Sequence, residues 1–291
     1  MVISKSGLFT ILASLSKLNI SISVSLSGIV GYVLYAQHFT LEMIIPILGI
    51  FFLSSGSSAL NHYQERAYDP HMNRTRNRPI PKGVITPERA LMVAIILLIS
   101  GALCLAFHSM NALLLGLMAI FWYNLIYTYL KRVTAFAVVP GALIGAIPPM
   151  IGWVAAGGSI LAFENLTLAF FFFIGQIPHF WLIILKFGTE YEAAGFKSLS
   201  QLLNENQIKR LTFTWIASVA VSALLFPLSG IMDSLILSIV LMLSSFLLIV
   251  GFLDLIYHQM KPFRFGKAFF YLNLYFLLVM LYLILSIFPI P

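Results

Sequence analysis

The sequence predicts an all-α, polytopic membrane protein of about nine transmembrane helices, and three observations predict it. Apolar residues make up 60% of the chain and charged residues 9%, with a mean hydropathy of +0.97, far above a soluble domain. Continuous apolar runs of about 18 residues or more, the length that crosses roughly 30 Å of hydrocarbon as a helix, recur along the chain. All 17 Lys and Arg residues fall before the first run or in every second connection. A membrane barrel would show segments of about ten alternating residues, and these runs are unbroken.

The elements follow in order. Residues 1–17 carry a short apolar run between Lys5 and Lys17 and read as an amphipathic cytoplasmic lead-in; they hold no Arg, which argues against a mitochondrial transit peptide. The first two spans, 18–37 and 41–60, precede a long polar stretch at 61–89 that holds Arg66, Arg74, Arg76, Arg78, Lys82 and Arg89. Spans at 90–107 and 111–130 lead to Lys131 and Arg132. The spans at 135–156 and 166–186 are interrupted by Pro148, Pro149 and Pro178, where kinks and freed carbonyls are expected. A second polar stretch, 186–210, contains Lys186, Lys197, Lys209 and Arg210. Spans at 211–228, 233–256 and 268–289 complete the set, with Lys261, Arg264 and Lys267 between the last two. The positive-inside rule then puts the N-terminus and the long loops in the cytoplasm and the C-terminus outside.

This partition explains the net charge of +7 as topology plus an anionic ligand, not as nucleic-acid binding. Cys104 lies inside the third span, so no intrachain disulfide forms, and it reads as a small core residue. No linker divides the chain, which reads as one domain over 1–291 with the chemistry in the loops at 61–89 and 186–210.

The stretch "LNHYQERAYDPHMNRTRNRPIPKG", 60–83, carries the strongest chemical signal. Asn61, Glu65 and Asp69 are spaced by four, so on a helix continuing from the second span all three project from one face. Such oxygen ligands suit Mg²⁺, which takes one or two carboxylates and leaves other positions to water and substrate phosphates. Arg74, Arg76, Arg78 and Lys82 follow, and guanidinium forks and ammonium groups hold phosphate oxygens. Glu190 and Glu192, two residues apart, cannot share one helical face, so at most one joins the first cluster. Tyr127, Lys131 and Arg132 end the fourth span on the same membrane side. A solvated, mixed-charge loop that serves topology alone is the bland alternative. His179, beside Pro178, is either a hydrogen-bonded interior histidine or a group that ligates heme iron or orients an acceptor.

"N-x3-E-x3-D" followed by "MNRTRNRPIPKGVITPERA" resembles the signature of the UbiA-type intramembrane prenyltransferases. The segments "TYLKRVTAFAVVPGALIGAIPPMIGWVAAGG", "GQIPHFW" and "EYEAAGF" are similar in order and spacing to the heme-farnesylating branch of that family, over residues 16–200 or so. The resemblance implies nine helices around a central cavity, with a cytoplasmic mouth that binds Mg²⁺ and a prenyl diphosphate. Carried over, Asn61, Glu65 and Asp69 would form the first metal–diphosphate motif and Glu190 the second. Arg74, Arg78, Lys131 and Arg132 would hold the leaving group, with Tyr127 and His179 toward the substrates. The implied reaction transfers farnesyl from farnesyl diphosphate to a vinyl group of heme B, in the inner (plasma) membrane. Implied partners are the lipid bilayer and downstream heme-modifying or oxidase-assembly proteins.

The chain departs from the family where Asp is usual and it has Glu65 and Glu190, where an acid is frequent and it has Ala67, and where "SKLN" opens the first span. These departures keep open a different aromatic or quinone-precursor acceptor, or a weakened relative that binds prenyl diphosphate or heme without turnover. A transporter is disfavoured, since no span core carries the paired acid and base of an ion-coupling site.

Overall fold

The computed structural model describes residues 7–257 and 265–289. Lys5, Lys261 and Arg264, whose topology was read from sequence, lie outside the described residues, as does the start of the lead-in. The described residues contain helices and turns and no strand. A short helix α1 (Leu8–Leu15) precedes nine helical segments long and apolar enough to cross a membrane. These are α2 (Leu18–Ala36), α3 (Leu41–Gln64), α4 (Pro87–His108), α5 (Met110–Val133), α6 (Ala135–Ala155), α7 (Phe163–Ala193), α8 (Glu205–Leu228), α9 (Leu235–Tyr257) and α10 (Phe265–Leu285).

Local chemistry sets their ends. Thr86 caps α4, accepting from the Arg89 amide, and Pro87 fills the first helical position, where its missing N–H costs nothing. Asn204 and Gln207 form a reciprocal capping box, so α8 starts at Glu205, six residues before the apolar run. Helix α7 likewise runs on to Ala193. The stretch expected to be a loop over 186–210 is therefore helical at both ends. An apolar run marks where a helix meets lipid, and backbone hydrogen bonding continues past that boundary.

Neighbours in sequence pack as neighbours in space: α3 on α4, α4 on α5, α7 on α8, α8 on α9 and α9 on α10. Helix α6 lies against α2, α5 and α7, and α10 returns to α2 and α7, joining the end of the bundle to its start. At the α2–α6 crossing a Cβ on Gly31 would sit 1.9 Å from the Pro149 carbonyl oxygen, and one on Gly152 1.9 Å from that of Gly28. Small residues let the backbones touch, which drives helix association where no hydrophobic effect operates between helices. The prolines at 148 and 149 lie inside a continuous helical stretch, Leu143–Ala155. Helix α6 instead breaks at Ala142, upstream of the expected interruption.

Interior polar groups are tied between helices. Asn124 donates to the Ser57 carbonyl (3.1 Å) and to Gln64 Oε1 (3.2 Å), while Gln64 Nε2 donates back to the Asn124 carbonyl (3.0 Å). This network pins α3 to α5 close to the end where the polar loops lie. Leu8 and Phe9 of α1 are exposed, and Leu15 is buried near Ala59, Ala90 and Ala94.

Candidate active site

The last turn of α3 buries Asn61, and Glu65 closes the helix. The helix does not continue through Asp69 as its spacing suggested. Pro70 lacks an amide donor and disfavours α conformation at the residue before it, so the chain tightens into a 3₁₀ turn at Asp69–His71. The four-residue stagger nevertheless persists: the Glu65 amide donates to the Asn61 carbonyl (2.9 Å) and the Asp69 amide to the Glu65 carbonyl (3.0 Å). Asn61, Glu65 and Asp69 are accordingly all buried, with Asp69 fully so.

Two cations clamp the carboxylates. Arg78 Nη1 lies 2.7 and 2.9 Å from the Asp69 oxygens and 3.5 Å from Glu65 Oε2, while Lys131 pairs with Glu65 Oε1. Both acids therefore share one guanidinium nitrogen. Burial alone would raise the Glu65 pKa, but Lys131 and Arg78 outweigh it and hold the carboxyl at about 2. Burial likewise works against the Arg78 charge, and Asp69 and Glu65 more than restore it, pushing its pKa up.

Glu190 meets this loop from α7. Its Oε1 accepts from Asn73 Nδ2 (3.4 Å) and its Oε2 from the Arg74 amide (3.3 Å), while the Arg74 guanidinium donates to the Tyr191 hydroxyl (2.6 Å). Glu192 turns away and accepts from Ser200 Oγ (2.6 Å), as two residues on opposed helical faces require. Arg132 lies over the Tyr68 ring at 4.6 Å and donates to the Gln64 carbonyl (3.4 Å). Lys131 Nζ sits 5.5 Å from the Tyr127 ring centre and 5.4 Å from that of Phe196. Tyr127 stacks on Tyr123 at 5.9 Å and leans on Phe180 at 5.8 Å. A Cβ at Gly141 would lie 2.4 Å from the Tyr127 ring, so the absent side chain sets where that ring stands. His179 is set apart: it packs on Phe269 at 4.6 Å, roughly 16 Å along α7 from Glu190 at 1.5 Å per residue. Ala67 is exposed, outside the buried cluster.

Sequence reasoning missed two participants. Lys17, counted only as a topology cation, turns inward and its Nζ donates to Asn61 Oδ1 (3.4 Å). Burial, with Arg78, Lys131 and Arg74 adding to it against Glu65, lowers its pKa to about 7. Thr128, fully buried, accepts from Asn61 Nδ2 (3.4 Å) and donates to the Tyr123 carbonyl (2.9 Å). That carbonyl also accepts from the Thr128 backbone amide, where α5 passes through a π-helical turn over Phe121–Tyr127, a departure common at functional sites and invisible to apolar periodicity. Position just before the first span was the signal that could have found Lys17.

A family model described as the UbiA prenyltransferase family matches residues 24–277. The chain belongs to this family. A protoheme IX farnesyltransferase of Geobacter sulfurreducens is 38% identical over 212 residues, 71% of this chain and 77% of the relative. One from Neorickettsia sennetsu is 40% identical over 207 residues, 68% of each. Among solved structures, a UbiA homologue from Aeropyrum pernix K1 superposes with a TM-score of 0.77 at 16% identity, covering 93% of this chain and 98% of that one. A UbiA homologue from Archaeoglobus fulgidus bound to GPP and Mg²⁺ gives 0.66 at 14% identity, covering 95% and 99%. At such identities the structural likeness carries the UbiA fold and no more.

The UbiA-type donor set can be tested for Mg²⁺ on the chain itself. Among the described residues no three His, Cys, Asp or Glu side chains converge as a preformed metal cage. Two buried carboxylates on one Arg78 nitrogen, with the Asn61 amide a turn away, fit an ion that takes one or two carboxylates and draws its remaining oxygens from phosphate and water.

Proposed function

We propose that this membrane enzyme transfers a farnesyl group from farnesyl diphosphate to a vinyl group of heme B, with Mg²⁺ as cofactor. The observation that carries the reading is the buried pair Glu65 and Asp69, gripped by Lys131 and Arg78, in a chain related to protoheme IX farnesyltransferases. Asn61, Glu65 and Asp69, with Glu190 from the second acidic stretch, are the residues that would hold the metal. Bound there, Mg²⁺ supplies charge neutralisation on the diphosphate oxygens.

The chain's own cations do the rest of the work on the leaving group. Arg74, Arg78, Lys131 and Arg132 take the diphosphate oxygens as the allylic C–O bond breaks and its electron pair leaves with the diphosphate. Tyr127, with Tyr123 and Phe180 behind it, presents ring faces beside Lys131, where the farnesyl cation loses its counter-charge. The vinyl π electrons of the acceptor then form the new C–C bond, and the cation left on the acceptor takes up water or loses a proton. His179, deeper along α7 and packed on Phe269, is assigned to the acceptor end. The charged end of the bundle faces the cytoplasm, as the cation partition requires.

Purified protein in detergent with farnesyl diphosphate, Mg²⁺ and heme B tests this by mass spectrometry. Farnesylated heme that disappears with EDTA supports it. Metal-dependent diphosphate release without farnesylated heme points to another aromatic or quinone-precursor acceptor, and neither product overturns the enzymatic reading.

A further inference from the structure

In this structure, each oxygen-bearing residue of the Asn61, Glu65, Asp69 stripe is engaged by a cation of the chain itself. Lys131 engages Glu65, Arg78 engages Asp69, and Lys17 engages Asn61. The first two cations are answered by buried carboxylates. Lys17 has no carboxylate within ion-pair distance among the described residues; its Nζ rests on an amide oxygen at 3.4 Å. The Lys17 side chain is half-buried near Arg78, Lys131 and Arg74, with Glu65 as the opposing charge, and a neutral amide oxygen as its direct partner matches an ammonium group poorly.

The backbone is held to bring it there. Lys17 adopts φ 46, ψ 56, a left-handed conformation that L residues other than Asn, Asp and Gly rarely take, in the hinge between α1 and α2. Its carbonyl starts α2 by accepting from the Ile20 amide (2.8 Å) and the Ser21 amide (3.2 Å). Nothing in that capping role needs a lysine side chain, and glycine would take the same dihedral angles without strain. Strain retained at a position whose side chain points into a charged site is a mark of function.

We propose that Lys17 is a diphosphate-binding residue, resting on Asn61 Oδ1 without substrate and moving its ammonium group to a diphosphate oxygen when substrate binds. The move replaces an ion–amide contact by an ion–phosphate one and frees the Asn61 oxygen at the same step. The inference rests on the mouth being the diphosphate site proposed above, and it adds a ligand from the segment before the first span.

Binding of inorganic pyrophosphate in Mg²⁺, measured by calorimetry without turnover, tests it. Lys17→Met and Lys17→Gly are expected to weaken binding about 10- to 100-fold, the range of a lost charged hydrogen bond. Lys17→Arg should recover most of it. Arg66→Met, which removes an exposed cation stacked on Tyr63, should bind as the wild type does. The thermal midpoint of ligand-free Lys17→Gly should not fall, because the left-handed backbone is relaxed. Pyrophosphate binding by Lys17→Met and Lys17→Gly within twofold of wild type would overturn the proposal and leave Lys17 a structural residue. No binding by the wild type itself would instead overturn the diphosphate reading of the mouth, and this inference with it.

Discussion

At the scale of single residues, the buried ion pairs govern what a mutation can report. Removing one partner of a buried pair leaves the other charged and unpaired, at a cost of about 3–5 kcal/mol. Glu65→Gln is therefore expected to lose both turnover, by at least about 100-fold, and thermal stability. Combining it with Lys131→Met should restore much of the stability and none of the turnover, which separates the chemical loss from the folding loss in paired activity and melting measurements. Arg74 offers a cleaner test, because it is exposed and its loss strands no buried charge. Arg74→Ala should abolish farnesyl transfer while the protein inserts and melts as the wild type does; near-normal transfer would remove Arg74 from the site.

At the scale of elements, two close approaches decide where site residues stand. The α2–α6 crossing at Gly31 and Gly152 brings backbone against backbone. Gly31→Ala or Gly152→Ala must push the helices apart and should lower stability by about 1–3 kcal/mol, read as a lower denaturation midpoint in detergent. Gly141 supports Tyr127 in the same manner, but against a side chain that can rotate. Gly141→Ala should leave the midpoint nearly unchanged and reduce kcat while binding of a diphosphate alone is unaffected; an unchanged kcat would show that the Tyr127 ring has no part in transfer. Neither contact could be read from the sequence, since glycine in an apolar helix is common and its partner lies on another helix.

For the molecule as a whole, the placement of 17 cations against nine spans predicts which end of the bundle faces the cytoplasm. With Cys104→Ser as background, a cysteine at Lys82 should react with an impermeant maleimide only after the membrane is opened, and one at Ser159 should react in intact cells. The reverse pattern would invert the orientation and put the charged mouth outside.

What the sequence determined by itself was the set of spans, the family and most of the cluster: Asn61, Glu65, Asp69, Arg74, Arg78, Lys131 and Glu190. Hydrophobic length and residue chemistry are local properties and need no neighbours. Only the tertiary structure decided which charges meet. It paired Lys131 with Glu65 across two helices, brought Glu190 to the Arg74 loop from about 116 residues away, ended α3 at Glu65 without dispersing the stripe, and drew Lys17 onto Asn61. Those contacts arise from how helices pack and where backbone hydrogen bonds yield, and in a bundle whose long-range neighbours come from distant segments, spacing along the chain carries no record of them.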